Sequence, residues 1–171
     1  MSFDRLWASW REAYVSSAGA DHGDAGACVF CELIEGGVSI ETGVVAIDEL
    51  SCCLLNAFPY GSGHLLILPR RHEPSLSGLS ELEAAALWAM TRRAVSALER
   101  AYGPDGINLG ANLGEAAGAG IPAHLHLHAL PRWAGDTNFM TSIAGVRVLP
   151  ESLASTYEKL RAAWPDPMPT L

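Results

Sequence analysis

Histidine occupies every second position in His124-Leu125-His126-Leu127-His128, and this alternation limits the fold more than any other feature of the chain. In an extended strand successive side chains point to opposite faces, so the three imidazoles share one face. Leu125, Leu127 and Ala129 then cover the other, buried face. Rings on such a strand lie about 6.5–7 Å apart, from roughly 3.3 Å per residue. Three imidazoles in a row are unfavourable as plain packing, because each ring brings a donor and an acceptor that need partners. The row suits metal binding or proton and phosphoryl chemistry near neutral pH. The chain holds six histidines, and five of them (His64, His72, His124, His126 and His128) are expected to meet at one site.

The rest of the chain reads as the sheet this strand needs. Residues 43–48 and 51–56 are apolar and β-branched enough for two strands around an Asp48-Glu49 turn. His64 to Leu68 is a third strand, ended by Pro69, and Ile107 to Leu113 is a fourth. Ala123 to Leu130, the histidine strand, is the fifth, with Pro131 closing it. Ser80-Glu81-Leu82-Glu83 is a capping box that opens a long helix, which Gly103-Pro104 stops after Tyr102. A closing helix spans 150–163, opened by Pro150. Near the N-terminus, Phe3, Leu6, Trp7, Trp10, Tyr14 and Val15 form a helical apolar stripe. The loop at 16–24 follows it, with His22 solvated. Strands, then a helix, then strands imply an α+β fold with a mainly antiparallel five-stranded sheet. The length of 171 residues suits a single domain, with 1–25 as a helical extension and 26–171 as the core.

A net charge of −8 argues against non-specific nucleic-acid binding, which needs a basic surface. No apolar run approaches the roughly 20 residues that span a bilayer, and the N-terminus lacks a signal-peptide pattern. A soluble cytoplasmic protein without a membrane partner is the default. The four cysteines fall as Cys28-x-x-Cys31 and Cys52-Cys53. The second pair sits in an apolar run and reads as strand residues. The first offers two metal ligands or two buried thiols.

Two small-residue features flank the histidine strand. Gly114-Glu115-Ala116-Ala117-Gly118-Ala119-Gly120 has little side chain to pack, so its backbone N–H groups can cradle phosphate oxygens. Trp133, just after the strand, can stack on a base or pack in the core.

The His-φ-His-φ-His-φ-φ run, ending Ala129-Leu130, resembles the signature of the histidine triad superfamily of nucleotide hydrolases and transferases. Asn56-x7-His64 and Gly63-His64-Leu65-Leu66-Ile67-Leu68-Pro69 resemble that family's other active-site strand. The likeness covers most of the chain. Leu6-Trp7-Ala8-x-Trp10-Arg11, Phe58-Pro59-Tyr60, Asn112-Leu113-Gly114, Ala117-Gly118-Ala119-Gly120-Ile121 and Pro131-Arg132-Trp133-x-Gly135-Asp136-Thr137-Asn138-Phe139 are similar to bacterial members of the diadenosine tetraphosphate phosphorylase type.

The resemblance implies that His126 is the nucleophile and forms a nucleotidyl-histidine at the α-phosphate of an adenine dinucleoside polyphosphate or AMP-like ligand. It places His128 at the leaving group and His64 in the α-phosphate pocket, with Asn56, Asn112, Gly118, Ala119 and Gly120 near the nucleotide. It further implies a homodimer, no organic cofactor, and a structural zinc held by Cys28, Cys31, His72 and His124. Relatives carry Gln, Ser or Thr just before the first histidine, where this chain has Ala119, Gly120 and Ile121. Phosphorolysis and hydrolysis therefore both stand as readings. So do a nucleoside phosphoramidase, a nucleotide-binding regulatory protein, and a zinc hydrolase that uses the triad itself as metal ligands.

Overall fold

The computed structural model of the chain describes residues 28–136 and 151–165. The expected helix and loop within 1–25, and the residues around Asn138 and Pro150, lie outside them. Five strands form one antiparallel sheet in the order β1-β2-β3-β5-β4. They are β1 (Val44–Ile47), β2 (Ser51–Leu55), β3 (Leu65–Pro69), β4 (Gly106–Ala111) and β5 (Leu127–Arg132). Among the described residues three helices accompany them: α1 (Val29–Glu35), α2 (Glu81–Tyr102) and α3 (Leu153–Ala163). Among the described residues no helix is long and apolar enough to cross a membrane.

Both faces of the central strands are covered, which explains why β2 and β3 are apolar without alternation. Cys52, Leu54, Leu66 and Leu68 point to one face and pack with Phe30 and Ile34 of α1. Cys53, Leu55, Leu65 and Ile67 point to the other, against Leu87, Met90, Ala94 and Leu98 of α2 and Leu160 of α3. Each of the larger side chains contributes about 1.5–3 kcal/mol by leaving water. Burial pushes the Cys52 thiol up to about 12 and raises the Cys53 thiol well above its ordinary value, so both behave as apolar residues.

The ends of α2 are built as the sequence indicates. Ser80 Oγ accepts from the Glu83 N–H, and the Glu83 carboxylate accepts from the Ser80 N–H, closing the capping box. Gly103 ends the helix in the left-handed region at φ 53°. α3 begins at Leu153 behind its Ser152 cap, three residues later than expected. Helix α1 and two short 3-10 turns, Leu76–Gly78 and Glu115–Ala117, are additions to the sequence reading.

The largest difference concerns the histidine strand. Regular pairing begins only at Leu127 and continues through Pro131 to Arg132, so His124 and His126 precede the strand. Their backbone is engaged elsewhere. The Leu125 N–H donates to the Glu73 carbonyl at 2.7 Å, and the His124 carbonyl accepts from the His126 ring at 2.8 Å. Proline is tolerated inside β5 because pairing with β3 ends at Ala129, so Pro131 has only β4 beside it. Pro69 likewise belongs to β3, paired with Ser51 beyond the stretch that meets β5.

Candidate active site and metal cluster

The face alternation expected of the histidine segment is present. His128 pairs with Leu66 in register, which puts it on the α1 side of the sheet. Phe30 of α1 lies edge-on to the rings of His124 and His126, at 5.7 and 5.2 Å between centroids. Leu125 and Ala129 enter the core beneath α2. The His126 and His128 rings are 5.1 Å apart, closer than a regular strand allows, because the chain at His126 has left the ladder.

His64 is delivered by the turn before β3. Gly63 has φ +77°, and a Cβ there would meet Pro131 and Tyr102 at 3.0 Å, so only glycine fits. His64 is 1% exposed. Its Nδ1 accepts from the Tyr60 backbone N–H at 3.0 Å and from Asn56 Nδ2 at 3.3 Å. The neutral ring therefore carries its proton on Nε2, which donates to His128 Nδ1 at 2.9 Å. That bond in turn puts the His128 proton on its own Nε2. The Tyr60 ring lies against both imidazoles, 4.7 Å from His64 and 6.0 Å from His128.

His126 is fixed the opposite way. Its Nδ1–H donates to the His124 carbonyl, so the lone pair resides on Nε2. Burial is the main influence on this ring and lowers its pKa, and the bond to the carbonyl works in the other direction. The imidazole is thus held neutral, the form in which it is a nucleophile.

His124 is fully buried and reversed again. Its Nε2–H donates to the Pro69 carbonyl at 2.9 Å, turning Nδ1 toward Cys28 Sγ at 3.4 Å and Cys31 Sγ at 3.7 Å. His72 Nδ1 lies 3.4 Å from Cys31 Sγ. The four donor atoms fall within 4.8 Å of one another. Zinc–sulfur and zinc–nitrogen bonds in a tetrahedron put ligand atoms about 3.3–3.8 Å apart, so the sulfur–nitrogen distances fit a closed Cys2His2 site. The Pro69 carbonyl supplies the outer hydrogen bond that orients a ligating histidine. Without an ion, burial and then the Cys28 thiol push Cys31 up to about 11. A single metal site made of the three triad histidines does not fit, because His124 faces the thiols and is the triad's one member of this cluster.

The remaining sequence candidates divide. Asn56 stands behind His64, its Oδ1 also accepting the Phe58 N–H at 2.9 Å. Asn112 braces the glycine-rich loop through the Gly118 carbonyl at 3.3 Å. The N–H groups of Ala117, Gly118 and Ala119 donate to the Gly114 and Glu115 carbonyls at 3.2, 2.8 and 3.3 Å. Gly118 and Ala119 thus stabilise their own turn through these bonds, while Ile121 anchors the loop to the α1-side core. Trp133 packs edge-on against Tyr102 at 6.1 Å, beside the α2-side core, so it is not gathered with the histidines. Sequence reading missed Phe30, the Tyr60 N–H and the Pro69 carbonyl. Only Phe30 left a trace, as an apolar partner four residues before Ile34.

Residues 38–135 match the model of the HIT domain family. The AP-4-A phosphorylase of Mycobacterium tuberculosis is 38% identical over 165 residues, covering 94% of this chain and 84% of that protein. The bis(5'-adenosyl)-triphosphatase of Dictyostelium discoideum is 36% identical over 84 residues, covering 49% of this chain and 56% of that protein. A solved structure described as a Zn-bound histidine triad family protein from Mycobacterium smegmatis has a TM-score of 0.65 and 30% identity. It covers 80% of this chain and 92% of its own.

Proposed function

The chain belongs to the HIT domain family, and from that premise we propose that it cleaves dinucleoside polyphosphates by nucleotidyl transfer through His126, with diadenosine tetraphosphate as substrate. The observation that carries the reading is the His126 Nδ1–H bond to the His124 carbonyl, which aims a neutral Nε2 lone pair beside the His64–His128 pair. His126 Nε2 attacks the α-phosphorus, a P–N bond forms, and the bond from phosphorus to the bridging oxygen breaks. His128 donates a hydrogen bond from its Nε2–H to that oxygen, and the nucleotide departs as its phosphate anion. Inorganic phosphate or water then attacks the same phosphorus and frees His126, giving ADP or AMP respectively. Two moderate displacements replace one difficult one.

Zinc held by Cys28, Cys31, His72 and His124 would serve structurally, pinning the residue whose carbonyl orients His126. The chain would act as a single domain in the cytoplasm. A homodimer is supported by β4, an edge strand in one copy whose Leu109 is 46% exposed.

Incubation with diadenosine tetraphosphate, with and without inorganic phosphate, tests the reading by chromatography of the products. ADP plus ATP formed only with phosphate identifies a phosphorylase, and AMP plus ATP without it a hydrolase. No product under either condition, from protein that still binds AMP, replaces the enzyme with a nucleotide-binding protein. Turnover of adenosine phosphoramidates alone points to the phosphoramidase instead.

A further inference from the structure

Arg71, next to His72 in the chain, ties together three parts of the molecule that sequence distance separates. Its Nε and Nη2 grip both oxygens of Glu83 at 2.7 and 3.0 Å. Nη1 reaches Glu73 at 2.8 Å, and Nη2 also donates to the Gly78 carbonyl at 2.9 Å. Glu83 is at the same time the carboxylate of the α2 capping box. Glu73 accepts the Ser75 N–H at 2.9 Å through its side chain and the Leu125 N–H at 2.7 Å through its carbonyl. A Cβ on Gly78 would come within 2.4 Å of the Glu73 carboxylate, so the turn leaves room for this fork. His72 sits between these two anchored residues and is the most exposed of the four cluster ligands. Leu76, the large apolar side chain of the same loop, is 52% exposed, so polar bonds and not apolar burial fix residues 71–78.

We propose that Arg71 is a positioning residue whose fork between Glu73 and Glu83 presets His72 as the fourth ligand of the metal cluster. This rests on the metal reading of Cys28, Cys31, His72 and His124. Cys28 and Cys31 sit at the start of α1, and His124 is buried and oriented by Pro69, so three ligands are held by elements with core contacts. His72 has only its loop. Without the fork an ion would have to order that loop on binding and lose the corresponding conformational entropy from its affinity. A two-pronged guanidinium–carboxylate bond supplies the rigidity in advance.

The test is Co2+ and Zn2+ binding to the purified chain, read by chelator competition and by the visible spectrum of the cobalt form. Arg71→Ala should bind about 10–100-fold more weakly, the usual effect of losing an outer partner of a ligand. Its thiolate-to-cobalt band should persist while the ligand-field bands weaken, as water replaces His72. Arg71→Lys keeps the charge but cannot span both carboxylates, so it falls between wild type and alanine and carries the test if Arg71→Ala does not fold. Ser80→Ala damages the capping box and leaves the fork, so it should lower the melting temperature and keep wild-type affinity. Equal affinity in Arg71→Ala and wild type overturns the proposal. Equal weakening in Arg71→Ala and Ser80→Ala overturns it too, since the effect would then be helix stability. A wild-type chain that binds neither ion removes the metal reading itself, a result distinct from binding that ignores Arg71.

Discussion

The two ends of the histidine row hold the same side chain differently, and the difference lies in which ring nitrogen is tied down. At the His124 end, Nε2 is spent on the Pro69 carbonyl and Nδ1 faces two thiols. Two residues on, His126 spends Nδ1 on the His124 carbonyl and keeps Nε2 as a lone pair. At His128, Nδ1 accepts from His64, and the proton is left on Nε2. One backbone carbonyl, that of His124, belongs to both ends. In the proposed mechanism the three imidazoles serve as a ligand, a nucleophile and a hydrogen-bond donor, a division set by the Pro69 and His124 carbonyls and by the His64 ring.

That division is broken most directly by deleting a member of one end and measuring the other. His126→Ala should lower kcat by about 10^4-fold or more, as expected when a covalent nucleophile is removed, and bound zinc should stay at the wild-type level. Zinc lost together with activity would show that the ends are not separate. Cys28→Ser attacks the other end. It should release the metal, lower the melting temperature and lower kcat about 10–100-fold, because the His124 carbonyl then orients His126 less well. A kcat unchanged in the metal-free variant would make the two ends independent despite the shared carbonyl.

How legible each end is in the sequence differs for the same reason. Side-chain pattern is written in the chain: the alternation of His124, His126 and His128 and the Ser80–Glu83 capping box both read correctly, while His64, expected to open the third strand, lies one residue before it. The strands were legible to within one or two residues at most ends because β2 and β3 are apolar runs bounded by turns. Partners that are backbone atoms leave no mark. Nothing in the sequence says that the Pro69 carbonyl meets His124, that the Tyr60 N–H meets His64, or that His124 and His126 leave the ladder. Helix α1 was unreadable because it has seven residues and its Cys28 cap makes no side-chain hydrogen bond. The turn bonds of the Gly118 and Ala119 N–H groups are hidden on the same ground, since glycine content says that N–H groups are accessible and not which carbonyl will take them.

A smaller effect sharpens the His64–His128 side. Asn56→Ala removes one of two donors to His64 Nδ1 and leaves the Tyr60 N–H in place. The tautomer survives, so kcat should fall only about fivefold, in line with ~1 kcal/mol for one hydrogen bond. Steady-state kinetics check this, and a loss as large as that of His126→Ala would mean that Asn56 contacts the reacting phosphate itself.

The least effect concerns the charged scaffold beside the proposed metal ligands. Hydrogen bonds from Arg71 and then from Ser80 hold the Glu83 carboxyl down to about 2, against an ordinary 4.5. A carboxylate whose pKa is lower in the folded chain stabilises it fully above the unfolded value. That stabilisation fades as pH falls from about 4.5 toward 2, where folded Glu83 is protonated as well. In metal-free protein, the urea midpoint of wild type should therefore drop more steeply across this window than that of Glu83→Gln. Asn56→Ala, which leaves the Arg71–Glu83 pair in place, should track wild type. If the Glu83→Gln profile runs parallel to wild type, the fork bears no charge-dependent load.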